Sequence, residues 1–455
     1  MRGSRTATWW LGLLSLSAGV AWGQPAQAPR GAQPGTKVER AGPRLLSVAE
    51  RDVVLDASIA ALRKSYVFPE KVPALVERLN QARKAGRYDG GDPIRLGELV
   101  TDDLVAASGD HHLYLGFDPS QYEVLRKEAA QGSGANDEDS FWRGLATRDH
   151  HGLAEQRILP GNIRYLRITA FEWVRDQTGS VYDEALRFLK DGDAVIIDLR
   201  GNGGGSHGAV RYLVSHFLDE DTLEMTFLDR SKPDEQSRAL GHLPAGRLKG
   251  KPLFVLIDGD VASAAEAFAY DVQQFKLGEL VGSKTIGAAN NNQFLPVAPG
   301  FVLSVSMGRP VHAVSHTNWE GVGISPTVET VPFQALEVAQ SLALKRLSQA
   351  PGLSPQVQGE YEWARVGVEA RLHPAEFTRA RLEQLAGRYG DMEVKLLDGV
   401  LWMSRPGRPT RRLAPMTAEG LFSVDGVEAM RVRFTPKSVE TQWRGAPGPR
   451  VYPRT

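Results

Sequence analysis

Residues 194–206, AVIIDLRGNGGGS, decide how the rest of the chain is read. Ala194 to Ile197 are apolar without alternation, the pattern of a strand covered on both faces. The strand runs into Gly201-Asn202-Gly203-Gly204-Gly205. Glycine loses the most backbone freedom on folding, so a run of it after a buried strand needs a reason. A phosphate cradle is one, but the Lys-Ser/Thr that follows a P-loop is missing, and so is the dinucleotide-binding spacing. An amide hole for a developing oxyanion fits better. A tight packing turn is the plainer alternative.

A second segment, 252–270, PLFVLIDGDVASAAEAFAY, repeats the strand–turn–helix form and presents one serine, Ser263, where the helix begins. A nucleophile there gains from the positive end of the helix dipole. A simple helix cap would also place a serine there. An amide-rich turn beside a serine at such an elbow is what acyl transfer needs.

That chemistry requires a base. Ten histidines are available, and His112, in Asp110-His111-His112-Leu113, opens a strand-like run over 109–117. Side chains alternate on a strand, so only one of His111 and His112 faces a given cleft. A packed or surface imidazole is the ordinary alternative for either. Adjacent histidines also suggest a metal, but without thiolates or an H-E-x-x-H pair no metal site is assigned. Glu320, in Asn318-Trp319-Glu320-Gly321-Val322-Gly323-Ile324-Ser325-Pro326, is a candidate acid to orient the imidazole, against the plainer reading of a solvated turn.

The chain has 455 residues, more than one hydrophobic core accommodates. Lys+Arg and Asp+Glu both total 54, a balance that argues against nucleic acid as the main partner. Arg2 and Arg5 precede an apolar stretch of about 13 residues, too short to span a bilayer and ending at Ala21 and Gly23, the form of a cleavable signal. Residues 1–23 are therefore read as a signal peptide and 24–44, rich in Pro, Gly, Ala and Gln, as a flexible linker. With no cysteine, an exported chain must do without disulfides.

Helical periodicity over 45–118, opening on a Ser47/Glu50 capping box, predicts an N-terminal helical domain. Residues 119–160 read as a linker or flap. Over 161–349 strands alternate with helices, which predicts an α/β core. Residues 350–374 read as a second linker. Short strands punctuated by Asp398-Gly399, Pro406-Gly407 and Asp425-Gly426 make 375–455 a small antiparallel β domain.

Together these segments resemble the C-terminal-processing (tail-specific) serine protease family, in its tricorn-like and interphotoreceptor retinoid-binding branch, over about 45–347. The carriers are Asp110-x-His112-Leu113, Ile163-Arg164-Tyr165-Leu166, Asp198-Leu199-Arg200-Gly201-Asn202-Gly203-Gly204, Ala262-Ser263-Ala264-Ala265-Glu266, Val281-Gly282-x-x-Thr285-x-Gly287 and the Asn318–Pro326 stretch. The resemblance implies a crotonase/ClpP-like α/β catalytic core behind a helical domain. It implies Ser263 as nucleophile, His112 as base, Glu320 as orienting acid, and the amides of Gly203 and Ala264 as oxyanion hole, acting on a protein or peptide substrate. No cofactor is expected, and the signal pattern predicts a location outside the cytoplasm, in the periplasm or medium. The tail-specific branch uses a Ser-Lys dyad, but Ala288 stands where its lysine would follow the Thr-x-Gly turn, and Lys284 lies before that turn. No PDZ-like insert is evident. The retinoid-binding branch implies an alternative, a non-catalytic binder of retinoid- or fatty-acid-like ligands. Residues 375–455 resemble, through Leu385-Ala386-Gly387-Arg388-Tyr389 and Leu413-x-Pro415, the β-barrel domain appended to penicillin-recognising hydrolases. Oligomeric state is not set by these features.

Overall fold

The computed structural model describes residues 45–131, 143–230 and 232–455. The expected signal segment and the 24–44 linker lie outside the described residues, as does part of the expected 119–160 flap.

Three helices open the fold, α1 (Val48–Ser65), α2 (Val72–Lys84) and α3 (Pro93–Ser108). The Ser47/Glu50 capping box forms as the sequence predicts. Leu55, Ile59, Leu62, Leu75, Leu79, Val100 and Leu104 pack into one buried cluster. The chain then enters β1 (Tyr114–Phe117) and α4 (Pro119–Gln131).

The core is a six-stranded sheet: β2 (Leu153–Leu159), β3 (Ile163–Ile168), β4 (Ala194–Asp198), β7 (Leu253–Ile257), β8 (Glu279–Gly282) and β11 (Val328–Glu329). Its order is β11-β8-β7-β4-β3-β2, parallel except for the antiparallel β2–β3 pair. Helices α5 (Arg175–Lys190), α6 (His207–Ser215) and α7 (Ala264–Gln274) contribute to the cluster on one face. On the other, α8 (Ala335–Ser348) and α9 (Pro355–Leu372) pack on Tyr165, Ile196 and Phe254. Both faces are covered, which is why β4 and β7 are buried throughout and apolar but for Asp198 at the end of β4.

A second sheet couples the helical region to this core. Its spine, β10 (Phe301–His312), pairs with β1, with β5 (Leu223–Asp229) and with β9 (Asn291–Ala298), and β6 (Glu235–Arg238) extends it beyond β5. After α10 (Arg379–Leu385), eight strands from β12 (Gly387–Tyr389) to β19 (Arg450–Pro453) pair in sequence order as an antiparallel meander. A bridge between Tyr389 and Arg454 brings its ends together as a near-barrel.

Two expectations are corrected. Residues 350–374 hold α9, capped by Ser354, whose hydroxyl accepts the Val357 amide, and begun by Pro355. Its inward residues, Tyr361, Ala364 and Val368, are few and mostly small, so its periodicity is faint among polar neighbours. The expected 119–160 flap contains α4 and β2, and β2 is an integral edge strand whose exposed face makes it read as irregular.

Candidate active site

The glycine turn is clamped before it begins. Asp198, fully buried at the end of β4, accepts Arg200 Nε and Nη2 at 2.9 and 2.6 Å and the Tyr165 hydroxyl at 2.7 Å. Burial pushes the Asp198 carboxyl up, but the Arg200 and Tyr165 bonds outweigh it and hold the group below its ordinary value. Asn202 then ties three segments together. Its side-chain amide donates to the Ile168 carbonyl at 2.9 Å, its Oδ1 accepts the Gly204 amide at 2.9 Å, and its own carbonyl accepts the Ala262 amide at 3.1 Å.

Ser263 follows at φ 53 and ψ −120, a strained conformation for a residue with a Cβ, and it is half-buried at the start of α7. The glycine turn presses against it: a Cβ on Gly204 would lie 2.7 Å from Ser263 Cβ and 2.9 Å from the Ala264 nitrogen. Among the described residues the amides of Gly203 and Ala264 have no acceptor, although that of Gly204 does. Ser263, Ala264 and Gly205 line one cavity with Ala289 and Trp319.

Glu266, one turn into α7 and fully buried, accepts the Ser263 amide at 3.0 Å, the Thr285 hydroxyl at 2.5 Å, and the amides of Gly287 and Ala288 at 2.7 and 2.8 Å. Burial pushes its carboxyl up, and these bonds oppose the push. The next two residues serve Glu320, whose Oε2 accepts the amides of Ala289 and Asn290 at 2.6 and 2.8 Å, while Oε1 accepts that of His111 at 3.3 Å. The Asn290 side chain completes the turn by donating to Asp110 Oδ2 at 3.2 Å.

His112 is buried and His111 exposed. This division comes from a turn, since β1 begins only at Tyr114, and not from strand alternation as the sequence suggests. The His112 amide donates to Asp110 Oδ1 at 2.9 Å, and its carbonyl accepts the Ser304 hydroxyl at 2.5 Å. Ligand-type atoms of Asp110, His112 and Glu320 lie within 4.8 Å of one another. His112 Nδ1 is buried without a hydrogen-bond partner. Burial holds the imidazole down to about 4, the Asp110 charge opposing it. Burial, then the Asp110 charge, push Glu320 up to about 7.

The structure thus gathers His112 and Glu320 into one cluster, and it sets Ser263 beside Ala289, whose amide holds Glu320. Among the described residues no hydrogen bond joins Ser263 to the His112 ring or the ring to Glu320. One imidazole and two carboxylates is also a donor set a divalent metal accepts, but Glu320 already spends both oxygens on amides. Sequence reasoning missed Asp110, Glu266 and Asn290 as parts of the site. Asp110 and Glu266 stood inside quoted motifs, where only three-dimensional contact gives them work. The arrangement offers a strained serine beside two open amides and, linked to it through the turn of residues 287–290, a buried imidazole with two carboxylates.

Residues 162–330 match the family model of peptidase family S41. The carboxy-terminal processing protease CtpB of Bacillus subtilis (strain 168) is 25% identical over 178 residues, which are 38% of this chain and 35% of that one. The carboxyl-terminal-processing protease of Synechocystis sp. (strain ATCC 27184 / PCC 6803 / Kazusa) is 29% identical over 173 residues, 37% of this chain and 38% of that one. The chain thus spans little more than a third of the length of these curated relatives. A solved structure of a photosystem II D1 C-terminal processing protease matches with a TM-score of 0.40 at 17% identity, covering 63% of this chain and 94% of that one. The relatives named are proteases, and they lend nothing to the apolar-ligand alternative.

Proposed function

We propose, from a chain whose residues 162–330 carry the peptidase family S41 match, that this protein is an exported serine endopeptidase with a crotonase/ClpP-like catalytic core. The observation that carries the reading is Ser263 at positive φ on the first turn of α7, pressed against a glycine turn beside two amides without acceptors. The Ser263 hydroxyl oxygen attacks the peptide carbonyl carbon, and His112 takes the hydroxyl proton. The carbonyl oxygen gains the negative charge and receives hydrogen bonds from the Gly203 and Ala264 amides. The C–N bond then breaks, and the amine leaves with the proton that His112 returns. Water, deprotonated by His112, attacks the acyl-enzyme and releases the acid and Ser263.

A neutral imidazole is the form that accepts a proton, and burial keeps His112 neutral at physiological pH. Glu320 in its carboxylate form stabilises the imidazolium; Asp110 adds a second negative group to the same cluster. No helix among the described residues is long and apolar enough to cross a membrane. Location outside the cytoplasm rests on the N-terminal signal pattern of residues 1–23.

The deciding experiment is fluorophosphonate labelling of the purified protein with wild type, Ser263→Ala and His112→Ala in parallel. Labelling of wild type that vanishes in both variants is the expected result. Labelling that persists in a folded Ser263→Ala protein would remove Ser263 as nucleophile.

A further inference from the structure

The cavity beside Ser263 is walled by Met225, Phe227, Ala267, Pro310 and Trp319, with His207 and Asn291 as the other polar side chains. His207 is the first residue of α6, directly after the glycine turn, so the turn that abuts Ser263 also sets the imidazole. Its side chain is 13% exposed, and the Phe227 ring meets it edge-on at 4.7 Å.

The ring is held from behind by a buried polar chain. His207 Nε2 lies 2.8 Å from Ser237 Oγ, and Ser237 Oγ donates to Glu224 Oε2 at 2.9 Å. Ser237 has a single proton, so once it goes to Glu224 the oxygen must accept from His207 Nε2–H. Burial holds the imidazole down to about 4 and therefore neutral, which leaves no proton on Nδ1. Nδ1 is then a hydrogen-bond acceptor with no partner among the described residues. Burial and the neighbouring Asp271 charge push Glu224 up to about 8. The Ser237-to-Glu224 hydrogen bond has Oε2 accepting, and Oε1 has no partner. Asp271 is in turn 3.2 Å from His312 Nε2, which carries the ring proton because Nδ1 accepts the Val314 amide. Buried polar groups of this kind are costly in an apolar wall, and packing alone gives no reason for them.

We infer that His207 selects a small hydroxyl-bearing residue, serine or threonine, on the acyl side of the scissile bond by accepting its hydroxyl proton at Nδ1. The inference rests on Ser263 being the nucleophile. The acyl side follows from the lining: the cavity includes Ser263, Ala264 and Gly205 but not His112, where the leaving amine must collect its proton. An apolar wall with one fixed acceptor favours a hydroxyl over the methyl analogue, which would cover Nδ1 without giving it a donor.

The test is cleavage profiling of a proteome-derived peptide mixture, followed by kcat/KM for paired peptides, Ser against Ala and Thr against Val, at the position before the cut. Wild type should prefer the hydroxyl member by about tenfold. His207→Phe, which keeps ring volume, should bring the ratio to about one, Ser237→Ala should lower it part way, and Asn291→Ala should leave it unchanged. A wild-type ratio near one, a preference that survives His207→Phe, or one lost in Asn291→Ala overturns the inference. The wild-type ratio and Ser237→Ala decide the matter even if His207→Phe does not fold. Fluorophosphonate labelling on the same preparations separates the failures. Labelling without hydroxyl preference defeats this inference alone, whereas absence of labelling also defeats the peptidase reading beneath it.

Discussion

Glu266 and Glu320 take their amide hydrogen bonds from consecutive residues of one turn, Gly287 and Ala288 serving the first, Ala289 and Asn290 the second. Glu266 also fixes the Ser263 amide, and Asn290 reaches Asp110 beside His112. A single turn therefore spaces the serine elbow from the histidine cluster. Glu266→Ala should lower stability by about 2–4 kcal/mol, since it strands several buried donors. Fluorophosphonate labelling should fall with it. Urea unfolding measures the first and gel fluorescence the second; full labelling in a folded variant would separate the turn from the site.

Ser263 holds a backbone conformation that suits glycine better. Ser263→Gly and Ser263→Ala should both be inactive, with the glycine variant about 1 kcal/mol the more stable, strain relief exceeding the entropic loss. Equal melting temperatures would mean that the elbow stores no strain.

Gly204 and Gly203 should respond in opposite ways. Alanine at 204, where φ is 109, drives its Cβ into Ser263 and the Ala264 nitrogen, and should cost about 2–4 kcal/mol together with activity. At 203 nothing lies within 4 Å of the added Cβ, so Gly203→Ala should fold with a loss of about 1 kcal/mol or less. Thermal unfolding of the two variants gives the comparison.

Activity and stability should run against each other with pH. Glu320 is raised to about 7 by burial and the Asp110 charge, so its carboxylate, and with it kcat/KM, should grow as pH rises through about 7. A raised folded-state value means that the stability contributed by the protonated acid is complete below the ordinary glutamate range and is lost as pH rises through about 7. His112 works the other way: its stability contribution is present above the ordinary histidine value and is lost as pH falls through about 4. Glu320→Gln should flatten the activity limb near 7 and lower its plateau. A limb unchanged in that variant would assign the ionisation to another group.

The parts of the fold written in local pattern were legible. The β4 and β7 runs, the Ser47 cap, the start of α7 at Ser263 and the Asp-Gly turns of the last domain each follow from a few neighbouring residues. What escaped depended on distant partners. β5 and β9 acquire meaning only when laid against β10, and β6 when laid against β5. The α9 helix buries only Tyr361, Ala364 and Val368, a face too narrow to show in its sequence. Of the candidate site, Ser263, His112 and Glu320 could be proposed from motifs. Asp110 and Glu266 needed contacts made through folding, since a carboxylate in a motif looks the same whether it meets water or four donors.

The proposed base and nucleophile grow from different cores. His112 precedes β1 in the helical cluster, and β1 is fastened by pairing with β10, with the Ser304 hydroxyl closing on the His112 carbonyl from 192 residues away. Ser263 stands between Val261 and Ala264, which belong to the cluster around β4, β7 and α7. Contacts so remote in sequence form late, because the loop between them must close first. If Ser263 and His112 are nucleophile and base, fluorophosphonate reactivity during refolding should appear no earlier than the pairing of β1 with β10. On that reading the two halves of the site are joined only by the pairing that joins the two cores.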